Sequence, residues 1–216
     1  MNKSNFDDDM NIDINLYSRQ LGSIGTEAML KFSKMEILIL GLRGLGVEIL
    51  KDLILEGPKR VDIYDPNFIT INDLNSNFLV TKNEVGKRRD NIIIEKIKGL
   101  NPNVESKILN KNNKDNENNY ISELSFICDN IKNYNLIIIS EFVSKTTITQ
   151  INTQCKKNNK ALIYACVMGL CGFLFNYLNN CIIIAQPPNL YSFYILKGFF
   201  LYYTLFRKRT HNNKSL

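Results

Sequence analysis

The chain is poor in the residues that most often announce chemistry. Its single histidine, His211, lies near the end, and its five cysteines, at 128, 155, 166, 171 and 181, form no Cys-x-x-Cys pair. A zinc site therefore has too few ligands at suitable spacing. The thiols read instead as reduced cytosolic side chains packed in a core. With neither a usable histidine nor a Tyr-x-x-x-Lys, an oxidoreductase reading is weak.

Long apolar runs are also missing. The tail CIIIAQPPNLYSFYILKGFFLYYTLFRKR is apolar and aromatic but broken by Gln186, Pro187, Pro188 and Lys197. Its uninterrupted pieces fall short of the roughly 18 residues a membrane helix requires, so membrane association is not expected, although the basic residues after Phe206 fit a stop-transfer signal weakly. The opening MNKSNFDDDMNIDIN is polar and acidic with no apolar core. It is not a signal peptide, and residues 1–16 are expected to be disordered in an intracellular protein. Neither charge dominates: 27 Lys and Arg against 21 Asp and Glu give +6 over 216 residues. Much of that excess sits in loops and in Arg207-Lys208-Arg209, so nucleic acid is not the expected partner. The length suits one sizeable α/β domain.

What is present is concentrated in Glu36 to Asp65, EILILGLRGLGVEILKDLILEGPKRVDIYD. Ile37 to Leu40 form a continuous apolar run, suited to a parallel strand covered on both faces. Gly41 turns the chain. From Gly44 to Leu55, apolar residues recur at helical spacing until Gly57-Pro58 stops the helix. Val61, Ile63 and Tyr64 then alternate with polar residues up to Asp65, about 20 residues beyond the glycines, where a dinucleotide-binding unit places its ribose-binding acid.

The glycine spacing limits what this βαβ unit can bind. A working fingerprint needs glycine at 41, 43 and 46, the middle one letting a pyrophosphate reach the backbone at the helix N-terminus. Arg43 stands there, with Gly44 beside it. The turn is thus expected to survive as architecture, Gly44 and Gly46 allowing close helix-to-strand packing. Arg43 is free to meet a phosphate or a partner's carboxylate.

The other segments follow in alternating order. Tyr17 to Phe32 places Leu21, Ile24, Ala28, Met29 and Phe32 on one helical face, with Arg19 ahead of it and exposed. Residues 66–91 read as a loop without regular structure. Glu84 to Leu100 reads as a helix with Ile92, Ile93, Ile97 and Leu100 inward, and Val104 to Leu109 as a strand. Asn110 to Asn119 is a polar low-complexity loop. A helix over Ile121 to Ile131, a buried strand over Leu136 to Ile139, a helix over Ser144 to Lys157 and a strand over Ala161 to Val167 complete the pattern. The fold class is α/β, a Rossmann-like doubly wound and mostly parallel sheet.

Tyr17-Ser18-Arg19-Gln20-Leu21, Gly25-x-Glu27-Ala28-Met29, Gly41-Leu-Arg-Gly-Leu-Gly46-Val-Glu-Ile49 with Lys51, and Val85-Gly86-Lys87 together resemble the ubiquitin-activating enzymes, and more closely their N-terminal, inactive adenylation half. The small subunit of SUMO-activating enzymes is the next most similar pattern. The resemblance runs from about Tyr17 to about Tyr177, Ala165 to Tyr177 matching the family's closing strand and hairpin. It implies a ThiF/MoeB-type adenylation domain over residues 17–180, followed by an unassigned apolar tail over 181–216. The family continues into further domains, so the tail is read as the end of a truncated chain.

In this family an active half binds ATP and Mg²⁺ and adenylates the C-terminal glycine of ubiquitin or a ubiquitin-like protein, in the cytoplasm and nucleus. Where its active pattern has Asp-x-Asp, this chain keeps Asp65 but has Asn67. The phosphate-facing arginine has become Ser76, Lys87 fits the Gly-Lys and Arg89 takes the next lysine position. Aligning on Cys155 puts Val143 where the family's metal carboxylate stands, and a methyl group cannot enter a magnesium octahedron. The expectation is a degenerate site over Gly41, Arg43, Gly44, Gly46, Asp65 and Lys87, with no cofactor or metal bound by this chain alone. Arg19 is the implied exception: the arginine of this segment reaches ATP phosphates in the partner half. The alternative is a free-standing NAD- or NADP-binding Rossmann oxidoreductase with Asp65 on a ribose.

Overall fold

A computed structural model describes residues 13, 15–109 and 120–178, with the backbone alone at 120–122. The described residues divide into two units, those up to Leu30 and those from Lys31 on. Asn110 to Asn119 and the tail beyond Leu178 lie outside the described residues.

The first helical face breaks in two. Helices α1 (Ser18–Ile24) and α2 (Thr26–Phe32) are separated by Gly25 at φ +84°, a left-handed conformation that ends α1. Ala28 and Met29 are buried, and Arg19 is exposed in the first turn of α1.

The sheet belongs to the larger unit. Its strands are β1 (Glu36–Leu40), β2 (Arg60–Tyr64), β3 (Leu136–Ile139), β4 (Ala161–Met168) and β5 (Cys171–Tyr177). They lie in the order β2-β1-β3-β4-β5, parallel from β2 to β4, with β5 antiparallel at the edge. Helices α3 (Gly44–Glu56), α4 (Arg89–Ile97), α5 (Tyr120–Asn130) and α6 (Lys145–Lys157) cover it. Strand alternation divides the core: Ile37, Ile39, Leu136 and Ile138 join Val47, Leu50 and Ile54 of α3 and Ile93 and Ile97 of α4. Leu38, Leu40, Ile137 and Ile139 join Ile151 and Cys155 of α6 on the other side. Each such residue, fully buried, contributes about 1.5–3 kcal/mol through surface removed from water.

Three further expectations are corrected. The 66–91 segment holds two 3-10 turns, Ile71–Asn75 and Lys82–Glu84, each opened by a reciprocal capping box, Thr70 with Asp73 and Thr81 with Glu84. Helix α4 starts at Arg89 rather than Glu84 and turns Ile94, not Ile92, inward beside Ile93 and Ile97. Val104 to Leu109 forms no regular strand; it runs beside β2 through isolated bridges at Glu105 and Ile108. Cys155 and Cys166 are buried as expected, whereas Cys128 is half-buried and Cys171 exposed. Among the described residues no helix is long and apolar enough to cross a membrane, and no cluster of His, Cys, Asp and Glu could hold a metal ion.

Candidate functional site

The carboxyl ends of β1, β2 and β3 meet in one place, the crevice where open α/β sheets bind ligands. Gly41, leaving β1, adopts φ +93°, which only glycine adopts without strain. A Cβ on it would stand 2.2 Å from Cγ of Glu141. Gly46 is held as tightly: its Cβ would lie 2.3 Å from the Gly41 carbonyl oxygen and 2.4 Å from Oγ of Ser140. Gly44 faces Ser76 in the same manner, at 2.8 Å. These glycines let α3 close on the sheet, as the sequence suggested. Arg43 precedes the helix in extended conformation with its side chain 63% exposed, and its Nε lies 3.5 Å from Oε1 of Glu141.

Asp65 is wholly engaged from within. Its Oδ2 accepts the Leu42 amide at 2.8 Å and Arg89 Nη1 at 2.5 Å. Its Oδ1 accepts the main-chain and side-chain amides of Asn67 at 3.1 and 3.0 Å. Asn77 ties the far side of the turn, donating Nδ2–H to the Leu42 carbonyl at 3.0 Å.

Arg89 organises the whole. Its side chain is fully buried, and its guanidinium also donates to Glu141 Oε1 at 3.2 Å, Asp73 Oδ2 at 3.1 Å and the Phe68 carbonyl at 3.3 Å. Three carboxylates thus close on one cation, Asp65 and Asp73 from the connection between β2 and α4 and Glu141 from the one after β3. Burial alone would lower the arginine's pKa, but Asp65 and Asp73 outweigh it and raise it. Burial likewise acts against the Asp73 carboxylate, yet the Thr70 amide and hydroxyl, with Arg89, pull its pKa below the ordinary value. Glu141 goes the other way: burial and the Asp65 charge raise it against the pull of Arg89 and Arg43.

Of the residues singled out in the sequence, Gly41, Arg43, Gly44, Gly46 and Asp65 come together here. Lys87 does not; its side chain is exposed in the turn before α4. Val143 packs against the second apolar cluster. Arg19 belongs to the other unit. The sequence reading missed the roles of Arg89, Asp73 and Glu141. Arg89 carried a usable signal, since it lies one and two helical turns before Ile93 and Ile97 and so shares their buried face; Glu141, after an apolar run, carried none.

A mostly parallel sheet covered on both faces, with a glycine turn closing β1 and an acid closing β2, defines a Rossmann-like doubly wound α/β fold. The structure of the E. coli protein MccB with AMPCPP and MccA superposes with a TM-score of 0.64 at 19% identity, covering 78% of this chain and 50% of that one. The ThiF family model matches residues 17–188, and the chain belongs to that family. It is 36% identical over 176 residues to ubiquitin-activating enzyme E1 1 of Schizosaccharomyces pombe, covering 81% of this chain and 16% of that protein. Against SUMO-activating enzyme subunit 1 of Dictyostelium discoideum it is 29% identical over 166 residues, covering 76% and 47%. The chain thus spans about one sixth of the ubiquitin-activating relative and about half of the SUMO-activating one.

Proposed function

We propose that this chain is a non-catalytic adenylation half of a ubiquitin or ubiquitin-like activating enzyme, paired with an active half that binds ATP and Mg²⁺. The observation that carries this reading is Arg89, buried among Asp65, Asp73 and Glu141 at the end of the sheet where a nucleotide would lie. The residues present do not fit a magnesium nucleotide. Both oxygens of Asp65 are already accepting hydrogen bonds, the space beside Gly41 is filled by Glu141, and Val143 offers no oxygen. A free-standing NAD or NADP enzyme has the same obstacle at Asp65, and the family assignment favours adenylation.

In this proposal the pairing face and Arg19 are what the chain supplies, with the expected setting the cytoplasm and nucleus. Arg19 is exposed, and a guanidinium provided in trans stabilises charge developing on transferring phosphates, an effect worth several kcal/mol in favourable cases. Arg19→Ala is therefore expected to slow ATP–pyrophosphate exchange by the assembled enzyme about 100-fold or more while the chain's melting temperature stays unchanged. An unaltered exchange rate removes the role of Arg19. Saturable, Mg²⁺-dependent ATP binding by this chain alone would remove the non-catalytic assignment.

A further inference from the structure

The opposite end of the sheet holds a second concavity, a basin of about 540 Å³ lined by Glu36, Arg60, Asp62, Lys132, Tyr134 and Lys160 among others. Its position follows from the strand starts. Lys34 lies two residues before β1, Lys59 directly before β2, Lys132 shortly before β3 and Lys160 directly before β4. Parallel strands begin at one rim, so four separate loops deliver their cations to the same edge.

The acids in the basin are already committed. Glu36 pairs with Lys59 at 2.8 Å and Arg60 at 3.5 Å. Asp62 accepts the Tyr134 hydroxyl at 2.9 Å and lies 3.3 Å from Arg60, whose guanidinium covers the Tyr134 ring at 5.5 Å. Lys34, Lys132 and Lys160 form no ion pair among the described residues, so the rim presents a surplus of positive charge that nothing in the candidate nucleotide end uses.

We infer that this rim is a docking site for an acidic peptide segment of a partner, seated over Lys132 and Lys160 at the amino end of the sheet. The mixed lining selects against a polyphosphate chain. Glu36 and Asp62 would repel an unbroken row of phosphates, and Tyr134, the ring in the basin, is buried and cannot stack a base. Separated carboxylates, by contrast, reach the lysines while intervening hydroxyls or amides lie over the acids. A polar, open basin of this kind favours fast, salt-sensitive and reversible attachment. The inference stands apart from the proposed function, because none of its residues belongs to the Arg89 cluster.

The test uses the full 216-residue chain and a fluorescent, end-capped peptide of about ten residues alternating Glu with Ser, titrated by anisotropy at low salt. Lys132→Glu with Lys160→Glu is expected to weaken binding about tenfold or more, by lost pairing and added repulsion. Lys132→Gln with Lys160→Gln is expected to weaken it about threefold. The control, Lys98→Glu with Lys145→Glu, carries the same charge change elsewhere and is expected to leave binding within twofold. Equal weakening by the control, no binding by the unaltered chain, or displacement by a single-stranded oligonucleotide at lower concentration than by unlabelled peptide would each overturn the inference.

Discussion

The two ends of this one sheet handle charge in opposite ways. At the carboxyl end three acids close around a fully buried arginine, and both the ions and the space are used up internally. At the amino end the acids are fewer, their partners lie in the rim, and lysines remain over. The same backbone therefore offers a sealed end and an open one. A buried cation adds stability only while its partners stay complete, whereas exposed cations cost little to keep and are available to others.

The largest expected effect breaks the sealed end. Arg89→Ala strands Asp65 and Asp73 without their cation and is expected to cost about 3–5 kcal/mol in urea unfolding; a loss under 1 kcal/mol would mean that the cluster is not a unit. Next comes Gly41→Ala, which imposes a side chain at φ +93° and drives it into Glu141. About 2–3 kcal/mol is expected, and pairing it with Glu141→Ala should recover the steric share but not the backbone strain. At the open end Tyr134→Phe removes the donor to Asp62 and is expected to cost about 1 kcal/mol by thermal melting.

The smallest effect is on pH dependence. The folded pKa of Asp73 is lowered, so its stabilisation is present above the unfolded value of about 4 and is lost as pH falls below it. Asp73→Asn should therefore flatten the acid limb of the stability profile. Glu141, raised in the fold, acts with the opposite sign, its contribution declining as pH rises from the ordinary value of 4.5. Glu141→Gln should flatten that decline, and identical acid limbs for both variants would show that neither carboxylate titrates as the geometry requires.

Much of the scaffold was legible because it rests on local pattern. Ile37 to Leu40 and Leu136 to Ile139 are unbroken apolar runs, and both are strands covered on each face. Gly57 and Ser144 end and begin helices as their types dictate, Gly57 at φ +79° and Ser144 accepting the Thr147 amide. Gly25 misled because a helical face was read across it, and Val104 to Leu109 because a short segment of strand-forming type does not reveal whether its neighbour offers a regular ladder. At the site, Asp65 was legible from its spacing after the glycines. Its partners were not: Asp73 lies 16 positions before Arg89 and Glu141 52 after it, and such pairings exist only once the sheet has brought their loops together.

The Arg89 cluster also constrains how such a chain can change over generations. Replacing the arginine leaves buried acids unbalanced, while replacing Asp65 or Asp73 first leaves a buried cation underpaired. Making space beside Gly41 means removing Glu141 from this cluster, and each of these substitutions taken singly is expected to give a less stable protein. The interlock therefore resists stepwise change: surface positions can vary one at a time, whereas the buried cation and its acids must change together.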